Sequence, residues 1–165
     1  MVMIVRSVFL AALAALLAPA SAIAQEAASD PSQDIAWHNA QSLALASRAA
    51  SGEWHWMSGG LLWRRVAGDG TGQRPTVQDV VTVHYAGTFI DGTQFDSSYD
   101  RGQPATFPLA GLIPAWQMAI PQMGVGDTIE IAAPAPTAYG TRGGGPIPGG
   151  ATLLFKVELL DIAGD

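Results

Sequence analysis

The 165-residue chain has room for one domain plus an extension, but not for two full domains. It carries 8 Lys and Arg against 14 Asp and Glu, and Lys156 is the single lysine, so no basic groove can form along a phosphate backbone and nucleic acid is excluded as a partner. There is no cysteine, which rules out disulfide stapling, thiol chemistry and a cysteine-linked lipid.

In chain order, the first two dozen residues are almost all apolar. Arg6 is the only charge before Glu26. Val8 to Leu17 forms a short apolar run, Pro19 interrupts it, and small residues follow from Ala20 to Ala24. A positive start, an apolar stretch and an A-x-A site describe a secretory signal peptide. Cleavage is expected after Ala24, with Ala22 as the close alternative. An uncleaved anchor is disfavoured, because the run is short for a span of ~20 residues. Residues 1–24 are therefore assigned to a leader. Loss of Arg6 leaves the mature chain one charge more acidic than the formal −6. It is expected to be soluble and periplasmic, or outside the cell.

Residues 25–57 read as a helical extension and linker. Asp30 can cap a helix with Pro31 at its first position and Gln33 at its third, running to about Ala50 and stopping at Gly52. Its apolar residues Ile35, Trp37, Leu43 and Leu45 make no clean stripe, so packing on the main domain and free movement both remain open. A dimer interface stays open too, although the helix is too short to argue for a coiled coil. Trp54 and Trp56 alternate with His55 and are expected to cover one side of the core. His38, His55 and His84 share no metal-motif spacing, so no metal is assigned.

Residues 58–165 form the main domain. Leu61–Val66 reads as a strand and Gly68–Gly72 as a turn. Val80–Arg101 (VVTVHYAGTFIDGTQFDSSYDR) alternates at Val81, Val83, Tyr85 and Phe89. Asp91-Gly92 then predicts a two-residue hairpin turn. The return leg carries Phe95, Asp96, Ser97, Ser98 and Arg101. A carboxylate and a guanidinium beside two aromatic rings is unusual chemistry for an ordinary hairpin. Pro104–Leu109 is extended. Ile113, Trp116, Ala119 and Ile120 fall at helical spacing, with Pro114 in the first turn and Pro121 as the stop. Thr128–Ala132 alternates with Ile129 and Ile131 inward, Pro134–Gly150 reads as a flexible loop, and Ala151–Ile162 closes as a strong strand. Strands joined by short turns, with one isolated helix, imply an α+β fold: a mostly antiparallel twisted sheet packed on that helix.

The chain holds no G-x-S-x-G elbow, Walker motif or H-E-x-x-H, and a hydrolase is a poor reading because no nucleophile–base pair can be assembled. What stands out is a set of aromatics: Tyr85, Phe95, Phe107, Trp116, Tyr139 and Phe155. Phe107 is assigned to the core. Tyr85 and Tyr139, whose hydroxyls need partners when buried, fit a lined pocket at least as well, and so does Trp116.

These residues sit inside motifs that resemble the FKBP-type peptidyl-prolyl cis–trans isomerases. The likeness runs through V-x-V-H-Y-A-G at Val81–Gly87, D-G-T-Q-F-D-S-S at Asp91–Ser98, Arg101, I-P-A-W at Ile113–Trp116 and Q-M-G-V-G at Gln122–Gly126. It continues through A-Y-G at Ala138–Gly140, Ile147-Pro148 and the closing Ala151–Leu160. It covers roughly Ser58 to Ile162 in order and spacing.

The resemblance implies a pocket for the proline ring of an Xaa-Pro peptide. By position, Tyr85, Phe95, Asp96, Arg101, Leu112, Ile113, Trp116, Tyr139, Ile147 and Phe155 line it. Trp116 forms the floor, the Ile113 N–H and Tyr139 hydroxyl hold substrate carbonyls, and Asp96 pairs with Arg101 and accepts from Tyr85. Tyr85, Asp96 and Tyr139 are the implied catalytic residues. No cofactor is implied. Proline-containing polypeptides are the implied partners, together with macrolide inhibitors of the tacrolimus or rapamycin type. Ala105, where the family often has an aromatic, implies an open rim. The expected function is isomerisation of Xaa-Pro bonds in exported proteins, with a non-catalytic polypeptide-binding chaperone using the same pocket as the alternative.

Overall fold

The computed structural model describes residues 30–163, and the expected leader, residues 1–24, lies outside the described residues. Apart from a 16-residue helix α1 (Ile35–Ala50), the chain folds as one antiparallel sheet around a second helix. The strands are β1 (His55–Trp56), β2 (Leu62–Ala67), β3 (Val80–Phe89), β4 (Gln94–Ser97), β5 (Ala105–Pro108), β6 (Thr128–Ala133) and β7 (Leu153–Ala163), and the inner helix is α2 (Pro114–Ala119). They lie in the order β1-β2-β6-β7-β3-β4, and β5 also pairs with β3. This is the α+β arrangement that the alternating strands and the lone helix called for.

The strand β3 is the spine. It pairs with β7 along its whole length, from Val80 opposite Ala163 to Phe89 opposite Leu153. Its other edge takes β5 at Val80–Val83 and β4 at Ala86–Thr88. Because side chains alternate across a strand, Val81, Val83 and Tyr85 all face inward and are buried. They meet Leu153, Phe155, Val157 and Leu159 of β7, and Ile129 and Ile131 of β6. Ile162 is also buried although it stands three residues after Leu159. The cause is a bulge: Val83 faces Leu159 and Thr82 faces Asp161, which leaves Leu160 as an extra residue and shifts the phase by one. Pro114 starts α2 at a position where its missing N–H costs nothing. Ala115, Trp116 and Ala119 then face the sheet, and Ile120 opens a 3-10 turn that ends the element. Each fully buried Ile, Leu or Val in this core stabilises the fold by ~1.5–3 kcal/mol.

Four local expectations are corrected. The N-terminal helix is not one piece: Asp30 caps a 3-10 turn, Pro31–Gln33, and Asp34 separately caps α1 by accepting the Ala36 N–H at 2.7 Å. Trp56 does not cover the core but stands 65% exposed on the edge strand. Trp54 instead has two guanidinium groups over its ring, with Arg64 5.0 Å and Arg48 5.9 Å from its ring centre. The hairpin turn has three residues, Ile90 to Gly92. Only Gly92 takes a positive φ, at 89°, and the Phe89 N–H donates to Thr93 across the loop at 2.9 Å. Finally, Pro134–Gly150 is tied up by its own backbone. The Gly140 amide reaches the Ala135 carbonyl at 2.8 Å, Gly144 and Ile147 bond each other at 2.9 and 3.0 Å, and Gly150 reaches Gly140 at 2.9 Å.

Candidate active site

A cavity of about 380 Å³ opens between α2 and the inner face of the sheet. Six separate segments build its wall: β3, β4, β5, the stretch from Gly111 to Trp116, the loop at Tyr139, and β7.

β3 delivers Tyr85, whose inward direction follows from the alternation that buries Val81 and Val83. Its backbone is clamped by Ser98, which is fully buried. The Tyr85 N–H donates to the Ser98 hydroxyl at 2.8 Å, and the Ser98 N–H donates to the Tyr85 carbonyl at 2.9 Å.

From β4 come Phe95 and Asp96. In a regular strand these neighbours would point to opposite faces. Here Gly87 faces Asp96 while Thr88 faces Gln94, so Phe95 is a bulged residue without an opposite number. The bulge lets both side chains face the cavity. Gly87 leaves the room for this: a methyl there would sit 2.6 Å from the tip of the Phe95 ring and 3.2 Å from Phe155.

Trp116 of α2 is 4% exposed. It meets Tyr85 edge-on at 5.2 Å and 82°, and Phe155 at 5.5 Å and 88°. Such edge-to-face pairs suit the charge distribution of aromatic rings and fix its tilt. Its buried indole N–H has no hydrogen-bond partner among the described residues. Just before α2, Leu112 and Ile113 reach the cavity mouth. Ile113 is the N-cap of α2, and its carbonyl accepts from the amides of Trp116 and Gln117 at 3.0 and 3.2 Å. No acceptor for its own N–H occurs among the described residues. Tyr139, at the entry to the long loop, stands 44% exposed on the opposite rim.

The electrostatics centre on three groups. The Tyr85 hydroxyl donates to Asp96 Oδ2, Arg101 donates to Asp96 Oδ1, and a second Arg101 nitrogen donates to the Tyr85 oxygen at 2.9 Å. Burial pushes the Asp96 carboxyl up, but the Tyr85 hydroxyl and Arg101 outweigh it and hold it below the usual carboxylate range. The Tyr85 phenol moves up, first through burial and then through its bond to Asp96. The two groups shift away from neutrality in opposite directions, so neither is poised to exchange protons near pH 7.

Eight of the ten residues marked in the sequence thus share one cavity. Arg101 does not line it; it stands behind Asp96. Ile147 does not line it either: it is 6% exposed and part of the core cluster. Phe107 adds to the sequence reading. Assigned to the core, it packs against the core cluster and lines the cavity as well, with its ring 6.2 Å from Trp116. The signal was its place at period two in an edge strand, which does not say how deep that strand lies. A larger groove, about 590 Å³, lies on the outer face of the sheet beside Arg48, Trp54, Arg64 and Lys156. There Arg64 is engaged by Glu53 and by Glu130 at 2.8 Å, and of the aromatic residues that wall the cavity Phe155 alone takes part in the lining.

A family model described as FKBP-type peptidyl-prolyl cis-trans isomerase matches residues 71–160. Among curated relatives, an FKBP-type peptidyl-prolyl cis-trans isomerase FkpA from Aeromonas hydrophila is 53% identical over 93 residues, covering 56% of this chain and 35% of that protein. An FKBP-type 22 kDa peptidyl-prolyl cis-trans isomerase from Escherichia coli is 52% identical over 99 residues, covering 59% and 48% respectively. The chain therefore spans between a third and a half of these relatives' length. Among solved structures, FkpA from Escherichia coli superposes with a TM-score of 0.71 at 38% identity, over 74% of this chain and 57% of that one.

Proposed function

The chain belongs to the family of FKBP-type peptidyl-prolyl cis-trans isomerases, and on that premise we propose that it accelerates rotation about Xaa-Pro bonds, using the cavity between Tyr85, Phe95, Trp116 and Phe155. The observation that carries this reading is the cavity itself: it is walled mainly by aromatic and aliphatic side chains, with hydrogen-bonding groups at the rim.

The physics suits such a site. Amide resonance imposes a rotation barrier of ~18–20 kcal/mol. The planar amide is more dipolar than the twisted one, so a dry apolar pocket disfavours the planar ground state relative to the transition state. The proline ring would rest on Trp116. The Ile113 N–H and the Tyr139 hydroxyl would take the flanking carbonyls, as donors that the fold leaves available. Asp96, Arg101 and Tyr85 would hold the wall in shape without moving a proton. Each ~1.4 kcal/mol of differential binding to the twisted amide is tenfold in rate.

The leader read from the sequence supports a finer proposal: that the clients are polypeptides folding after export, in the periplasm. A tacrolimus-type macrolide, with an apolar ring and flanking carbonyls, would compete for the same cavity. The test is cis–trans conversion of an Xaa-Pro tetrapeptide by the mature chain, with and without such a macrolide. A catalysed rate is expected; a folded sample that leaves the buffer rate unchanged overturns the reading. Exposed Ile35 and Leu43 on α1 favour a second reading, a chaperone that grips unfolded chains. Suppression of aggregation that survives Trp116→Ala would support it.

A further inference from the structure

The residue of α1 that is buried is a glutamine. Gln41 is 6% exposed, while Leu43 stands 69% exposed on the same helix. A helix attached merely by adhesion would bury its leucine, since an amide taken from water is costly unless it is hydrogen-bonded. Gln41 meets that condition: its Oε1 accepts the Thr152 N–H at 2.9 Å. Thr152 is itself 2% exposed and is the last residue before β7.

What Thr152 terminates is the loop that carries Tyr139. Its exit is folded back on its entry: the Gly150 N–H donates to the Gly140 carbonyl at 2.9 Å. A methyl added to Gly149 would lie 2.1 Å from the Thr141 carbonyl oxygen, so the two ends of the lobe touch. The backbone inside the lobe is in turn the bed of the Tyr139 ring, since a methyl on Gly144 would lie 3.1 Å from Tyr139 Cδ1. Two anchors hold the lobe to the molecule. Ile147 is sunk in the core, and α1 presses on the neck. There His38 and Trp37 lie 2.7 and 3.5 Å from where a Gly150 methyl would be.

We propose that Gln41 is a positioning residue for the pocket: by fastening the neck of this lobe through Thr152, it sets where the Tyr139 hydroxyl stands at the cavity rim. The role rests on the isomerase reading for its effect on turnover, but the fastening itself does not. It makes the N-terminal extension a part of the site that no pocket-lining residue reveals.

The test uses the mature chain with Gln41→Leu, which keeps volume but removes the acceptor, and Gln41→Glu, which keeps an acceptor at the same reach. Amide exchange at Thr152 and Gly150 should be about tenfold faster in the leucine variant while the β3 amides stay protected, since local openings are separate from global unfolding. In the peptide assay Gln41→Leu should lower kcat/KM about fivefold in the wild-type background and less than twofold in a Tyr139→Phe background, because residues acting through one group are not additive. Gln41→Glu should recover most of the loss. Equal losses in both backgrounds, or unchanged exchange at Thr152, overturn the proposal. If the wild-type chain proves inactive, the isomerase reading fails. Exchange at Thr152 and the NMR shift of the Tyr139 ring then still decide whether Gln41 fastens the lobe.

Discussion

At Asp96 two neighbours decide the chemistry. A half-exposed carboxylate beside a phenol has the makings of a general acid or base. The Tyr85 hydroxyl and Arg101 stabilise its ionised form strongly enough to overcome burial, while Tyr85 is held protonated by burial and by that same bond. The pair is thus locked as acceptor and donor across the neutral range. Turnover should therefore be flat in pH: kcat/KM toward an Xaa-Pro peptide is expected to vary less than twofold between about pH 5.5 and 8.5, since a general acid–base pair would show a limb near its working pH. A bell centred in that window would mean that one of these groups does transfer a proton. Gly87 works at the same scale. Its missing side chain is the space into which the Phe95 ring folds, and no larger residue could serve both the β3 ladder and the pocket.

Among the elements, the join between the turn after β2 and the turn before β6 depends on one buried carboxylate. Asp127, 2% exposed, accepts from Arg65 of β2 at 3.0 Å and from the amides of Gly70 at 3.0 Å and Gly124 at 2.8 Å. Burial raises its carboxyl, but the Gly124 and Gly70 amides and Arg65 prevail and hold it below the ordinary range. A group whose folded value is depressed contributes stability that is present above its unfolded pKa of ~3.9 and is lost as pH falls through the folded value. Asp127→Ala should cost about 3–5 kcal/mol near neutrality, because it takes the carboxylate from Arg65, which keeps only its bond to the Gln122 carbonyl, and leaves the Gly70 and Gly124 amides without an acceptor. The gap to wild type should shrink at about pH 3, below the ordinary carboxylate pKa of ~3.9, where the unfolded chain binds a proton that the folded carboxylate resists. Denaturant unfolding at the two pH values measures both. A gap that stays constant would show that the carboxylate's charge is immaterial. In β4, by contrast, the decisive feature is an irregularity: the bulge that turns Phe95 and Asp96 to one side.

For the whole molecule, the core cluster runs from Leu61 to Ile162, with Trp37 the α1 residue packed against it. The sheet should thus carry its own stability. A chain of residues 58–165 is expected to unfold in one cooperative transition, followed in parallel by circular dichroism and tryptophan fluorescence. Non-coincident transitions would make the extension part of the folding unit. In this arrangement α1 adds little to the core and acts on the site from outside, through the neck of the Tyr139 lobe.

Much of this was legible without coordinates. Alternation at Val81–Phe89 and Leu153–Leu159 announced the two longest strands, and the spacing of Trp116, Ala119 and Ile120 announced α2. Eight of the ten pocket residues that the family resemblance implies do line the cavity, whereas the strands and the helix follow from patterns in the chain itself. These are local properties, since periodicity and turn chemistry are written in neighbouring residues. What the sequence could not determine depends on partners distant in the chain. Whether Asp91-Gly92 closes a two- or three-residue turn depends on how β4 registers against β3, and that same register makes Phe95 a bulge. The depth of Phe107 depends on where β5 lies relative to α2. Gln41 was invisible for a further reason. A buried polar residue leaves no mark in a hydrophobic pattern, and its only justification, the Thr152 amide, lies more than a hundred residues away. Sequence alone determined which residues could form a pocket; tertiary pairing decided which faced it and what held its rim, because register, bulges and buried hydrogen bonds are set between segments and not within them.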